Sequence, residues 1–230
     1  CIRDRLQDDR LNALCLGPGL GRGARTRALV RTALAANRAT VLDADALTSF
    51  AGNPPALFER LHETCVLTPH AGEFNRLFPD IARKLAAAAT TDPLYSKPAN
   101  SKPAYSMPAY SKVDATRDAA ARAGCTVLFK GPDTVIADQT GRAAINSAHY
   151  DRAAPWLATA GSGDVLAGFV TGLLARGFAP LDAAETAAWL HVECARAFGP
   201  GLIAEDLPEI LPKVLRELAP GQPADPPFVR

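Results

Sequence analysis

The sequence predicts an α/β fold with a mostly parallel sheet covered by helices on both faces. Three observations carry that prediction. Apolar runs of a few residues recur along the chain, short enough for buried strands. Helical patterns separate them, as parallel strands require. Three of the early runs stop at turn-forming or polar residues, at Gly17-Pro18-Gly19, Asp43-Ala44-Asp45 and Thr68-Pro69-His70.

Taken in order, Ala13-Leu14-Cys15-Leu16 is the first strand and Arg25 to Ala36, rich in Ala, Leu and Arg, is a helix. Thr40-Val41-Leu42 is the second strand. Helical stretches follow at about 45–51 and 55–62, broken by Pro54-Pro55. Cys65-Val66-Leu67 is the third strand, followed by helices at about 71–78 and 80–89. A helix over 114–123 closes at Gly124. Cys125 to Lys130 and Thr134 to Ala137 are strands, and Gln139-Thr140-Gly141 turns the chain into Ala143-Ala144-Ile145. Helices at about 163–176, 181–198 and Leu207 to Leu218 complete a domain over 1–218. The tail 219–230 holds four prolines and is expected to be loose.

One segment departs from this pattern. Residues 93–112 read PLYSK, PANSK, PAYSM, PAYSK, with Pro93, Pro98, Pro103 and Pro108 five apart. Proline lacks an N–H and fixes φ, so neither helix nor central strand passes through them. The segment reads as an extended insertion built by tandem expansion of one unit, since removing 98–112 would join Lys97 to Val113.

Composition bounds the function. The 230 residues are 48% hydrophobic and 21% charged, enough to fill a core. With 25 Lys and Arg against 24 Asp and Glu, the net charge is +1. That argues against a basic nucleic-acid binder and against a highly charged disordered chain. No apolar run reaches the roughly 20 residues of a membrane-spanning helix. Cys1 to Arg5 is charged and leads into no apolar stretch, so no secretory leader is expected. The five cysteines are odd in number, widely spaced and free of C-x-x-C, which fits a reducing, cytoplasmic setting. Cys15, Cys65 and Cys125 adjoin apolar runs and are expected to act as small buried hydrophobes.

The strongest chemical signal is Thr159-Ala160-Gly161-Ser162-Gly163-Asp164, followed by Val165-Leu166-Ala167-Gly168. Free N–H groups and the dipole at a helix start attract an anion, and glycines let a phosphate approach the backbone. Asp164 reads either as a helix-stabilising acid or as a carboxylate that takes a proton from a substrate hydroxyl. The helix dipole should weaken it as a base. Phosphoryl transfer tolerates that, because it depends mainly on positioning and charge stabilisation. His191-Val192-Glu193-Cys194 is not read as a metal cluster, since 191 and 193 point to different helix faces.

The run G-S-G-D-V-L-A-G resembles the anion hole of ribokinase-like enzymes, which implies a three-layer α/β/α fold. Five further segments occur in order: Gly17-Pro18-Gly19-Leu20-Gly21, Leu42-Asp43-Ala44-Asp45-Ala46-Leu47, Leu67-Thr68-Pro69-His70-Ala71-Gly72-Glu73, Phe129-Lys130-Gly131-Pro132-Asp133-Thr134 and Ala154-Pro155-Trp156-Leu157-Ala158-Thr159. Together with the anion hole they resemble the ADP-dependent NAD(P)H-hydrate dehydratase family across most of residues 13–215. The resemblance implies a hydro-lyase that repairs nicotinamide cofactors. Such an enzyme removes water from the S epimer of hydrated NADH or NADPH, by phosphorylating the hydrate hydroxyl and expelling phosphate.

The resemblance also implies roles. Asp164 would be the catalytic base and touch the hydrate. Lys130, Gly131, Pro132, Asp133, Thr134 and Gly163 would bind the adenine nucleotide, ADP or ATP. Gly21 and His70 would contact the hydrated dinucleotide. Each has a plainer reading beside it: Gly19 and Gly21 as turn residues, His70 as a helix-start hydrogen-bond donor, Lys130 as a solvated strand-end charge. Glu73, Asp43 and Asp45 are candidates to organise Mg2+ and water, with Asp45 alternatively capping the helix that follows. A homo-oligomer and a functional link to an NAD(P)H-hydrate epimerase are further expectations of the resemblance. So is a preceding segment with an early strand and a G-G-S-x-G turn, against which this domain reads as shortened at its N-terminus. Two alternatives stay open: another ribokinase-like small-molecule kinase, or a truncated, non-catalytic nucleotide-binding module.

Overall fold

Four of the apolar runs become parallel neighbours. In the computed structural model, which describes residues 2–90 and 109–218, these are β1 (Ala13–Leu16), β2 (Ala39–Leu42), β3 (Cys65–Leu67) and β4 (Thr126–Phe129). Leu16 lies opposite Leu42, Leu42 opposite Leu67, and Leu67 opposite Val127, so the carboxyl ends of all four strands reach one edge. A hairpin of β5 (Asp133–Ala137) and β6 (Ala143–Ser147) extends the sheet antiparallel to β4, giving the order β1-β2-β3-β4-β5-β6.

The central strands are buried on both faces, and the two-residue period of the pleat divides their side chains between two layers. Leu42, Leu67, Val127 and Phe129 face one layer. It is built by α2 (Ala24–Leu34), α3 (Ala44–Thr48), α4 (Pro55–Phe58), α5 (Ala71–Leu77), α6 (Pro79–Thr90) and α7 (Lys112–Ala123). There Phe74 of α5 stacks on Phe129 with ring centroids 4.0 Å apart. Val41, Val66, Leu128 and Ile136 face the other layer, where α8 (Ser162–Ala175) and α9 (Pro180–Phe198) supply Leu166, Val170, Ala184 and Ala187. Small residues let these helices approach the sheet closely. A last helix, α10 (Asp206–Leu218), packs Leu207 and Val214 into a cluster with Leu190 and Ala195 of α9. The fold is therefore the three-layer α/β/α arrangement that the strand and helix pattern implies.

Some details differ from expectation. The helix expected over 55–62 ends at Phe58. The α7 helix begins earlier than position 114: Ser111 caps it by accepting from the Asp114 N–H, and Asp114 returns a bond to the Ser111 N–H. A favourable cap thus takes the last residues of the expected insertion into a helix. A short helix, α1 (Ile2–Arg5), was not anticipated. The segment after it is tied to Arg38, whose guanidinium donates to the carbonyls of Leu6, Asp8 and Leu11. Cys15 is exposed, because it lies on the edge strand; Cys65 and Cys125 are buried. Most of the proline-rich segment, residues 91–108, and the tail 219–230 lie outside the described residues.

Candidate active site at the carboxyl edge of the sheet

The ends of β1 and β2 meet almost backbone to backbone. The Asp43 N–H donates to the Leu16 carbonyl at 3.0 Å. A Cβ on Gly17 would fall 1.8 Å from the Asp43 carbonyl oxygen, and Gly17 holds φ at +144°, so only glycine fits there. This close approach buries Asp43, which is 1% exposed. Its Oδ1 accepts from Lys130 Nζ at 2.7 Å, and its Oδ2 has no hydrogen-bond partner among the described residues. Lys130 follows β4 and is anchored by its own N–H, which donates to the Pro69 carbonyl at the end of β3. It is therefore a paired, largely buried cation and not a solvated strand-end charge.

At the end of β3, His70 caps α5. Its Nδ1 accepts from the Gly72 and Glu73 N–H groups, while Glu73 Oε2 accepts from the His70 N–H at 2.9 Å. The expectation of a donating histidine is corrected at Nδ1, because two helix-start N–H groups need acceptors. The ring proton then belongs on Nε2, 3.5 Å from Glu73 Oε1. Burial pushes the Glu73 carboxyl above its ordinary range. Asp45 does not cap α3 with its side chain; Asp43 occupies that position, and Asp45 Oδ2 accepts from the Gly21 N–H at 2.9 Å.

The start of α8 faces the same edge. Gly161 adopts the left-handed conformation, φ +84°, that turns the chain into the helix. Ser162 Oγ donates to the Leu157 carbonyl at 2.7 Å, tying the helix start to the short 3-10 turn Pro155–Ala158. A Cβ on Gly163 would meet Lys130 Nζ at 3.2 Å, so the collar and the lysine are adjacent. Asp164 is exposed next in line. Partial burial and the charge of Asp43 push its carboxyl above the ordinary range, while Lys130 pulls it down. The expected weakening of this base is thus reversed, first by burial and then by the neighbouring charge of Asp43.

A cavity of about 130 Å³ opens beside the collar. Its wall includes Lys130, Gly131, Pro132 and Thr134 from the β4–β5 turn, and Ser162 and Gly163 from α8. It therefore gathers all the expected nucleotide-binding residues except Asp133, which is exposed at the start of β5. Gly21 and His70 sit at the ends of β1 and β3, on the same edge but outside the cavity wall.

Sequence reasoning missed two residues. His191 of α9 lines the cavity, and its Nε2 donates to the Ser162 carbonyl at 2.9 Å. Burial holds its pKa down to about 4. Glu193, two residues on, instead accepts from Arg152 and Arg196. Lys112 of α7 donates to the carbonyls of Lys130 and Asp133 beneath the turn. Only the polar position of His191 within an apolar helix face could have signalled it.

The arrangement so far is a glycine-lined helix start, a largely buried cation and an adjacent exposed acid. Comparison with known proteins gives it a family. The sequence profile of the NAD(P)H-hydrate dehydratase family matches residues 3–213. This chain belongs to that family. Among curated relatives, the bifunctional NAD(P)H-hydrate repair enzyme of Salinibacter ruber is 38% identical over 218 residues, covering 91% of this chain and 34% of that protein. The enzyme of the same description from Mycobacterium tuberculosis is 39% identical over 175 residues, 76% of this chain and 30% of that protein. This member of the dehydratase family thus spans about a third of the length of the curated relatives it matches. Among solved structures, the ADP/ATP-dependent NAD(P)H-hydrate dehydratase of Bacillus subtilis, co-crystallised with ATP and Mg2+, superposes with a TM-score of 0.66 and 26% identity. That match covers 90% of this chain and 65% of the other.

Proposed function

We propose that the chain dehydrates the S epimer of NAD(P)H hydrate to NAD(P)H, using ADP or ATP as co-substrate. The observation that carries this reading is that the Lys130 amine, paired with Asp43, lies 3.2 Å from where a Cβ on Gly163 would stand, next to Asp164 in the chain. One nucleotide phosphate can thereby meet a cation and a helix start together, with a carboxylate alongside. No backbone partner holds the Gly163 N–H among the described residues, which leaves it free for a phosphate oxygen.

In this reading the adenylate lies along Lys130, Gly131, Pro132, Thr134 and Gly163, with Asp133 holding the turn through its backbone. Gly21 and His70 contact the hydrated dinucleotide. Asp164 accepts the proton of the hydrate hydroxyl as that oxygen takes the terminal phosphoryl group of the nucleotide. The neighbouring ring carbon then gives up a proton to solvent, its C–H electron pair forms the double bond, and phosphate departs with the C–O electron pair. Phosphate leaves far more readily than hydroxide, which is why a phosphoryl-transfer fold can perform a dehydration.

Mg2+ fits the residues present. Asp43 Oδ2 is a buried carboxylate oxygen without a partner among the described residues, a suitable hard donor. Those residues bring together no group of three His, Cys, Asp or Glu able to hold a metal. Mg2+ requires none, since it usually binds through one or two carboxylates, waters and substrate phosphates. Asp43, with Glu73 nearby, would hold it, and the ion would supply neutralisation of phosphate charge. Asp45, engaged with Gly21, is the weaker candidate.

The reading extends to a homo-oligomeric, cytoplasmic enzyme working with a hydrate epimerase. The bifunctional relatives support that link. Among the described residues no helix is long and apolar enough to cross a membrane, and four cysteines are free thiols. The test is incubation with hydrated cofactor and ADP or ATP, following the absorbance of the reduced nicotinamide. Its return supports the proposal. A phosphorylated product without that return indicates a small-molecule kinase, and nucleotide binding without turnover a non-catalytic module.

A further inference from the structure

The amine of Lys112 reaches the nucleotide-facing turn from the start of α7. It donates to the Lys130 carbonyl at 3.3 Å and to the Asp133 carbonyl at 2.5 Å, the two ends of the turn Lys130-Gly131-Pro132-Asp133. It also lies 4.4 Å from the centre of the Phe129 ring, the last residue of β4. The fit is tight: a Cβ on Gly131 would fall 2.7 Å from the amine. Among the described residues no carboxylate oxygen forms an ion pair with it; Asp133 is the acid whose charge reaches it. Two backbone carbonyls and a ring face thus serve a cation that a surface pair would serve elsewhere.

We infer that Lys112 is a positioning residue for the adenine nucleotide: its amine fixes the Lys130–Asp133 turn in the shape that accepts the nucleotide, without touching the nucleotide itself. Both ends of the turn matter. Lys130 must point its own amine toward Asp43 and Gly163, and its carbonyl is held from behind by Lys112. Thr134 Oγ1 donates to the Gly131 carbonyl from the other side, so the turn is braced twice. Burial pushes the Lys112 amine down to about 8, and the charge of Asp133 acts against that shift. The residue is also the first of α7, so the amine that holds the turn stands at that helix start.

This inference rests on the proposed dehydratase reading, and the experiment separates the two. ADP binding is measured by calorimetry on the full chain, and Michaelis constants for ADP and for the hydrate are measured separately. Lys112→Met keeps the aliphatic stem over Phe129 and removes the donors. It is expected to weaken ADP about tenfold or more, as loss of charge-assisted bonds should. The KM for the hydrate should stay within about twofold. Lys112→Arg, which keeps charge and donors, is expected to recover much of the loss. Ser111→Ala weakens the start of α7 but leaves the amine in place, so it should lower the melting temperature without weakening ADP. Wild-type ADP affinity in Lys112→Met overturns the inference, as does an equal loss in Ser111→Ala. If the unaltered chain binds no adenine nucleotide, the functional reading fails and takes the inference with it.

Discussion

Lys130 and Asp43, 87 residues apart, join the ends of β4 and β2 through a 2.7 Å ion pair in which the carboxylate is 1% exposed. The pair needs the close approach of β1 and β2 to bury the acid and the Pro69 carbonyl to set the lysine. It couples fold to site, because the same amine touches the space above Gly163. Lys130→Met should leave a buried carboxylate unpaired and destabilise the protein by about 3–5 kcal/mol. Adding Asp43→Asn should recover part of that stability, because the uncompensated charge disappears. Urea denaturation of the two variants checks this, and equal stabilities would contradict it.

Asp164→Asn should cut turnover by about a hundred- to ten-thousand-fold while leaving ADP binding near its original strength. As the proposed base, Asp164 must be ionised to work, and its pKa is raised above 3.8 by burial and by Asp43. The acid limb of kcat/KM should therefore lie above the ordinary aspartate value. The same shift has a sign for stability. Between the unfolded and the raised folded pKa the native state binds more protons, so this group's contribution falls as pH rises through that window. Asp164→Asn removes the liability and should leave the melting temperature at neutral pH unchanged or higher. Activity and melting curves on one preparation test both statements.

Much of this was readable beforehand because strands and glycine turns are local. Ala13-Leu14-Cys15-Leu16 and Cys65-Val66-Leu67 form strands over the residues their apolar runs mark, and Gly161-Ser162-Gly163 opens a helix as its composition requires. What escaped was set by tertiary contact. Asp45 was a plausible cap until the Gly21 N–H claimed it, and His70 a plausible donor until α5 needed its lone pair. His191 and Lys112 serve carbonyls 29 and 18–21 residues away, which no spacing rule reveals. The raised pKa of Asp164 comes from burial and then from Asp43, both set by the tertiary fold.

His191 should make the fold acid-sensitive in a defined window. Its pKa is held down to about 4 by burial, against an unfolded value near 6.5, so below 6.5 the unfolded state takes up the proton that the native state refuses. Stability is complete above about pH 6.5 and declines as pH falls toward 4, by roughly 3 kcal/mol in all. His191→Gln should flatten that part of the pH dependence of the melting temperature. An unchanged slope between pH 4 and 6.5 would show that other groups set it.

Gly17 and Gly21 both have positive φ within one glycine-rich loop, yet alanine should affect them unequally. At Gly21, φ +72°, nothing lies within 4 Å of an added Cβ, so the cost is the left-handed backbone alone, about 1 kcal/mol. At Gly17 the same methyl would lie 1.8 Å from the Asp43 carbonyl oxygen, a backbone atom that cannot swing aside. Relief requires β1 and β2 to part at their carboxyl ends, which would also shift Asp43 from Lys130. Gly17→Ala should therefore destabilise by about 3 kcal/mol or more and weaken ADP binding through the displaced lysine. Gly21→Ala should leave ADP binding intact and, if Gly21 contacts the hydrate, raise only the KM for that substrate. Denaturation and binding measurements on the pair decide it, since equal losses in both variants would mean that the loop, and not the strand-end contact, governs the site.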